Sequence, residues 1–323
     1  LSKNKFLIEQ SSVEFYKLLI VVIKLKRARI IYNPSSGREL FKRELPEVLV
    51  KLEKAGYETS CHETTGKGDA EAEAILASTR GYEIVIAAGG DGTINEVING
   101  LANSLIRPKL GVIPVGTSND FARALHIPRI VDKAVNIIVE GNIIPVDIGK
   151  MNSRYFMNIA GGGHLTELSY GVPSKLKTGL GQLAYYLKGI EMIPSLKSTE
   201  VTIEYDGKIF EGDIMLFLVA NTNSVGGFET LAPDSNVQDG KFSLLILKKT
   251  HLPDLIRIAT LAIRGEHIND PNIIYEKAST IRVDAKNRMQ INLDGEYGGD
   301  APAKFVNLQR HIEIFVPNMH MKR

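Results

Sequence analysis

"IVIAAGGDGTINEVINGL", residues 84–101, decides how the chain reads. A run of β-branched and small apolar residues enters Gly89, Gly90, Asp91, Gly92 and Thr93, then continues through Ile94, Asn95 and Glu96 into an apolar segment with helical spacing. Strand, tight turn and helix follow from that pattern. The turn itself has two readings. Backbone N–H groups at a helix start lack internal partners, which makes the place a ready site for phosphate. Thr93 and Glu96 also match the Thr-x-x-Glu capping box, which explains a clean helix start with no ligand at all.

Outward from this stretch, "ARIIY" (residues 28–32) and "LGVIPV" (residues 110–115) are apolar on both faces, as "IVIAA" is, and read as buried parallel strands. "ELFKRELPEVLVKLEKAG" and "DAEAEAILASTRG" have helical spacing and end in glycine. Strand alternating with helix predicts an α/β domain with a parallel sheet. Two further polar loops leave strand ends: Asn33, Pro34, Ser35, Ser36 and Gly37, and Gly116, Thr117, Ser118, Asn119 and Asp120. Ligands of open parallel sheets sit outside the carboxyl ends of the strands, so three loops are expected to converge on one crevice. Each loop taken singly also reads as an ordinary turn. No Gly-x-x-x-x-Gly-Lys-Ser/Thr run occurs, and Gly90-x-Gly92 is followed by Asn95 where a dinucleotide fingerprint needs its third glycine. Both signatures are thereby disfavoured.

The texture changes near "IIPVDIGKMNSRYF". Asp206-Gly207 lies between two strand-like runs, a hairpin signal, and "KFSLLILKK", "STIRVDA" and "MQINLDGEYGG" continue in short strands. This half is expected to be a mostly antiparallel β-sandwich domain. Two helical stretches, "GQLAYYLKGIEMI" and "LPDLIRIATLAIRG", are expected on its flank, and "HIEIFVP" (residues 311–317) suits either domain. The divisions are an extension over residues 1–26, an α/β domain over 27–147, a β-rich domain over 148–310, and a strand and tail over 311–323 that could return to the first domain.

Bulk properties bound the function. A chain of 323 residues suggests two domains. Hydrophobic and charged contents of 44% and 24% are those of a globular protein, not a disordered one. A net charge of +2 with no long run of like charges points to no nucleic-acid partner. Cys61 is the single cysteine, so no internal disulfide is available and a reducing, cytoplasmic setting is the simplest. The scattered histidines argue against zinc. "LLIVVI" (residues 18–23) is far short of the roughly 20 residues a membrane span needs.

"GGDGTINEVING", with "YNPSSG" upstream, "VGTSNDFAR" downstream and "YETSCHETTGKGDA", "FETLAPDSNVQDGKFSLLIL" and "NLDGEYGG" elsewhere, resembles the diacylglycerol kinase catalytic domain family of lipid kinases, and most of all the soluble diacylglycerol kinases of Gram-positive bacteria. The resemblance runs from about Arg27 to Pro317. It implies transfer of the ATP γ-phosphate to diacylglycerol, giving phosphatidic acid, by a cytoplasmic enzyme peripheral at the inner membrane face and forming a homodimer. ATP would be held by Asn33, Pro34, Ser35, Ser36 and Gly37, by Thr64, by Gly89 through Glu96 and by Thr117. Glu296 matches the general base. Asp91, Asp120 and Asp239 match acids of a magnesium and water network, with a structural Mg2+ on Asp239 and main-chain oxygens of Asn236 and Lys241. Some relatives carry an acid where this chain has Gln238.

The chemistry suits those residue types, because phosphoryl transfer needs positioning, cations and a base more than covalent work, and magnesium prefers carboxylate oxygen. Alone, Asp294-Gly295 reads as a hairpin turn with Glu296 a solvated residue beside it, and Asp239-Gly240 likewise. Leu183, Tyr186, Leu187, Ile190 and Ile193 recur at helical spacing and could line an apolar acceptor cleft or be plain core. Residues 1–26 lie outside the resemblance, as an upstream extension or cloning artefact first and an amphipathic membrane contact second. Kinases of another lipid alcohol or of NAD, which share Gly-Gly-Asp-Gly-Thr, and a non-catalytic lipid-binding regulator are the alternatives.

Overall fold

A computed structural model describes residues 26–163, 197–223 and 231–318. Residues 1–25 and the apolar stripe from Leu183 to Ile193 lie outside the described residues.

Strand β3 (Ile84–Gly89) is buried at every position, as a strand apolar on both faces must be. It pairs in parallel with β1 (Lys26–Tyr32) on one side and β4 (Lys109–Pro114) on the other. Strand β2 (Tyr57–Glu63) adds to the outer edge of β1. Helices α1 (Leu40–Lys54), α2 (Asp69–Thr79) and α3 (Asp91–Ala102) connect successive strands, and α4 (Asp120–Ala124) and α5 (Val131–Glu140) follow β4. The α/β expectation therefore holds. Strand β2 was hidden from the sequence because "YETSCHE" buries only Tyr57, and an edge strand needs little apolar signal to stay in a sheet.

The second half is antiparallel. Strands β8 (Thr199–Tyr205) and β9 (Lys208–Ala220) form the hairpin expected at Asp206-Gly207, both turn residues having positive φ, as a two-residue type I′ turn requires. Strand β9 also pairs with β7 (Ile159–Gly162) and β10 (Phe242–Lys248), and β10 with β11 (Ile273–Ala278). Strands β13 (Gln290–Leu293) and β14 (Glu296–Asp300) close a second two-residue hairpin, and β13 lies against β7. Its core is aromatic: Phe156 stacks on Phe242 with centroids 5.5 Å apart and meets Phe305 edge-on at 6.3 Å. Helix α6 (Leu252–Arg264) sits on the flank, burying Ile258 in a small cluster with Met215, Leu245, Leu247 and Ile273.

The strand expected at residues 311–317 is the end of a longer one, β15 (Ala303–Phe315). Its first residues pair with β12 (Thr280–Ala285), and Ile314 lies parallel to Leu110 of β4. Strand β5 (Ile143–Met151) runs antiparallel along it. One strand thus serves both sheets and joins them into one. Ile312, Ile314, Phe315 and Val316 pack in the core of the parallel sheet, whereas Ala303 and Phe305 belong to the aromatic core. Among the described residues no helix is long and apolar enough to cross a membrane.

Candidate active site

The three loops at the strand ends are locked to one another. The Asn33 N–H donates to the Ala88 carbonyl at 3.1 Å, and the Val115 N–H donates to the Gly89 carbonyl at 3.0 Å. The Asn33 carboxamide oxygen accepts from the Ser35 N–H and hydroxyl at 3.0 and 2.8 Å, a tight turn over Pro34. Gly37 has φ +60°, and a Cβ there would stand 2.4 Å from the Val115 carbonyl oxygen. At Gly116 a Cβ would stand 2.4 Å from the Gly90 Cα. Only glycine permits these approaches. Thr64 joins the same rim, its N–H donating to the Tyr32 carbonyl at 2.9 Å, and Thr117 is exposed on the loop after Gly116.

Helix α3 starts at Asp91, with extended Gly90 as its N-cap and no side-chain cap. This corrects the capping box: the helix begins three residues too early for Thr93 to be the cap. Thr93 is buried, and the Glu96 carboxylate accepts instead from the N–H groups of Gly68 and Ala70, at 2.9 and 3.2 Å. Glu96 thus caps α2, and holds the loop that carries Thr64 and Lys67. With no cap of its own, α3 presents its first amides and the positive end of its dipole to the crevice.

Asp91 turns away from its own helix. Its carboxylate accepts the Asn119 N–H at 2.7 Å, while the Asn119 carboxamide donates to the Gly89 carbonyl at 3.0 Å. Burial, and next the like charge of Asp120, push the Asp91 carboxyl above its ordinary value, against backbone amides that favour the charged form. Asp120 is paired with Arg123 at 3.3 Å.

Glu296 arrives from the other half of the chain. It follows Asp294-Gly295, the turn of the β13–β14 hairpin, and accepts from the Lys67 ammonium at 2.7 Å. The sequence missed what holds that turn. The Asp294 carboxylate accepts from Met157 N–H at 2.7 Å, Asn158 N–H at 2.9 Å, Ile159 N–H at 2.9 Å and the Asn95 carboxamide at 2.8 Å. Burial pushes its pKa up to about 6 although all four donors work the other way. Further along α3, Asn99 exchanges bonds with the Tyr155 backbone at 3.2 and 3.1 Å, and Asn103 accepts from the Tyr155 hydroxyl at 3.3 Å. Asparagines at 95, 99 and 103 fall on one helical face, a spacing visible in the sequence.

Asn236, Asp239 and Lys241 sit on a separate turn before β10. The Asp239 carboxylate accepts the Lys241 N–H at 3.0 Å and lies 3.8 Å from the Lys277 ammonium. Buried Asp147 anchors this turn, accepting from the Gly240 and Arg310 N–H groups, both at 2.7 Å. Among the described residues no group of three or more His, Cys, Asp or Glu side chains gathers at one point.

Two family models match the chain one after the other. The family described as "Diacylglycerol kinase catalytic domain" matches residues 27–151, and that described as "YegS C-terminal NAD kinase beta sandwich-like domain" matches residues 172–316. The diacylglycerol kinase of Bacillus subtilis (strain 168) is 65% identical over 294 residues, covering 91% of this chain and 97% of its own length. That of Staphylococcus carnosus (strain TM300) is 58% identical over 292 residues, 90% of this chain and 95% of the relative. A crystal structure of a diacylglycerol kinase from Bacillus anthracis str. Sterne superposes with a TM-score of 0.78 at 28% identity, covering 92% of this chain and 99% of that one. With that identity held along nearly the whole of both chains, the protein belongs to the diacylglycerol kinase family.

Proposed function

We infer that the protein is a lipid kinase that transfers the γ-phosphate of ATP to diacylglycerol, giving phosphatidic acid. The relatives named diacylglycerol kinase support this over an NAD kinase or a non-catalytic regulator. The observation that carries the reading is that a carboxylate from the second half of the chain reaches the parallel-sheet half: Lys67, on the loop that Glu96 ties to α3, donates to Glu296 at 2.7 Å.

In this reading the amides at the start of α3 and the loops of Asn33–Gly37, Thr64 and Thr117 bind the ATP phosphates and nucleoside, with Gly37 and Gly116 giving the backbone its close approach. Glu296 takes the proton from the lipid hydroxyl as the hydroxyl oxygen bonds to the γ-phosphorus and the bond from that phosphorus to the β-phosphate oxygen breaks, releasing ADP. Lys67 holds the Glu296 side chain by an ion pair before the acceptor arrives.

Magnesium fits the acids. Burial and the like charge of Asp120 raise the cost of ionising Asp91, which a divalent cation would relieve. Asp239 with the main-chain oxygens of Asn236 and Lys241 is a hard-oxygen donor set of the kind magnesium takes. Bound there, magnesium would neutralise charge on the phosphates at the first place and brace the turn at the second. The enzyme works as a cytoplasmic homodimer that visits the inner membrane face, since its acceptor resides in a bilayer and the family resemblance supports the dimer.

The test is purified protein with labelled ATP, magnesium and a panel of lipid alcohols in mixed micelles. Labelled phosphatidic acid should form, and not with Asp91→Ala; transfer to none of the lipids would sink the reading.

A further inference from the structure

Glu296 is the exposed first residue of β14, after a turn with no bulk of its own. A general base must lie within hydrogen-bond reach of the proton it takes, so something rigid has to set where this turn sits. Asp294, two residues earlier, is the only side chain of the turn, because Gly295 has none. Its two oxygens take four donors. One oxygen accepts from Met157 and Asn95, the other from Asn158 and Ile159. The Asp294 N–H also donates to the Ile159 carbonyl at 2.9 Å. Three of the donors belong to the backbone entering β7, and the fourth belongs to α3.

That fourth bond matters most for geometry. Asn95 lies four residues beyond Asp91, about 6 Å along the helix, so it stands one turn from the amides proposed to meet the phosphates. From Asp294 to Glu296 is two residues, at most about 7 Å of chain. The base and the phosphate site are therefore connected by one helical turn, one hydrogen bond and two residues. The Asn95 side chain is turned to Asp294 and to Asn99, whose carboxamide donates to the Asn95 oxygen at 3.0 Å.

We propose that Asp294 is a positioning residue of the transfer reaction, gathering the backbone of residues 157–159 and Asn95 of α3 about one carboxylate and so fixing Glu296 over the glycine turn. It rests on the reading of Glu296 as the base. A carboxylate is required because it only accepts; an asparagine would turn an amide against two of the four donors. The four donors favour the charged form, and a carboxyl raised to about 6 is still mostly ionised at neutral pH.

The experiment uses the full chain, with initial rates at saturating diacylglycerol, calorimetric titration with a non-hydrolysable ATP analogue, and thermal unfolding. Asp294→Asn should lower kcat about a hundredfold, the scale of a misplacement of about 1 Å, while the analogue's Kd stays within about twofold. A folded variant with the parent kcat overturns the proposal, and so does a rate loss matched by an equal loss of nucleotide affinity. Should that variant not fold, Asn95→Ala decides, since it removes the bond between α3 and Asp294, together with the contact to Asn99, and leaves the three backbone donors: a kcat reduced about tenfold at unchanged Kd supports the proposal, and an unchanged kcat, or a loss matched in Kd, overturns it. Glu296→Gln run beside them separates the two ideas. If it retains the parent rate, the base assignment fails and takes the proposal with it; if it is inactive and Asp294→Asn is not impaired, only the positioning role fails.

Discussion

Two hairpins of this protein turn on the same dipeptide and put it to different uses. Asp206-Gly207 and Asp294-Gly295 both have positive φ at each residue, and both join antiparallel neighbours. The Asp206 carboxylate reaches only the start of the neighbouring strand β12, accepting from Ser279 N–H, Ser279 hydroxyl and Thr280 N–H at 2.9, 3.0 and 2.9 Å. Burial pushes its pKa up, but the amides and hydroxyl outweigh it and hold the group below its ordinary value. The Asp294 carboxylate reaches out of its hairpin to α3 and to residues 157–159, where burial prevails and the value rises to about 6. Backbone conformation is what the dipeptide dictates. Reach is decided by what the rest of the chain brings to the turn.

The largest way to sharpen that contrast lies two residues past the second turn. Glu296→Gln should lower kcat about a thousandfold, within the range for a lost general base, in the mixed-micelle assay and at unchanged nucleotide affinity. Asp294→Asn follows at about a hundredfold. A turn residue nearly as costly as the base itself would separate this hairpin from its twin.

Acid should divide the two aspartates by sign. A carboxyl whose folded pKa lies above the unfolded value takes up its proton first in the folded state, so acidification favours folding at that site. For Asp294 the window runs from about 6 down to the ordinary 3.8. Asp206, held low, contributes stability present above 3.8 and lost as pH falls through its lower folded value. Chemical unfolding measured from pH 7 to pH 3 (~4 units, ample for both windows) should show Asp294→Asn losing stability more steeply than the parent between about 6 and 4. Asp206→Asn should resist better below about 4. Parallel curves for all three would erase the distinction.

Smaller effects remain. Glu96→Ala removes the acceptor at the start of α2 and should cost about 1 kcal/mol of unfolding free energy, as a lost helix cap does, read as a lowered Tm. Asp206→Asn at neutral pH should leave kcat within about twofold and cost about 1 kcal/mol. If it impaired transfer as Asp294→Asn does, both turns would be acting through stability alone.

What the sequence disclosed follows the same line. Local chemistry was legible: the apolar strands around Ile86, the glycine turn after Ala88, and the Asp206 hairpin all declare themselves within a few residues. Edge strand β2 did not, because its side chains are mostly polar and its place is owed to Tyr57 and to pairing with β1. Glu96 illustrates the limit best. Its spacing from Thr93 matched a cap, but its carboxylate found amides 26 and 28 residues earlier in the chain. Asp294 was readable as a turn and not as an acceptor for Asn95, since a separation of 199 in the chain leaves no local pattern. Long-range polar contacts of this kind carry no periodicity.

Strand β15 has a consequence for how the chain comes into being. Synthesis delivers residues 26–114, with all four early parallel strands, long before Ile314 exists to lie beside Leu110. Until then the outer side of β4 is an open edge, its N–H and C=O groups waiting for a neighbour. The nascent first half therefore leaves the ribosome with its sheet incomplete, although domains commonly fold as they emerge. Strand β15 is the closing stitch, and a chain released early would expose the strand next to the glycine turn.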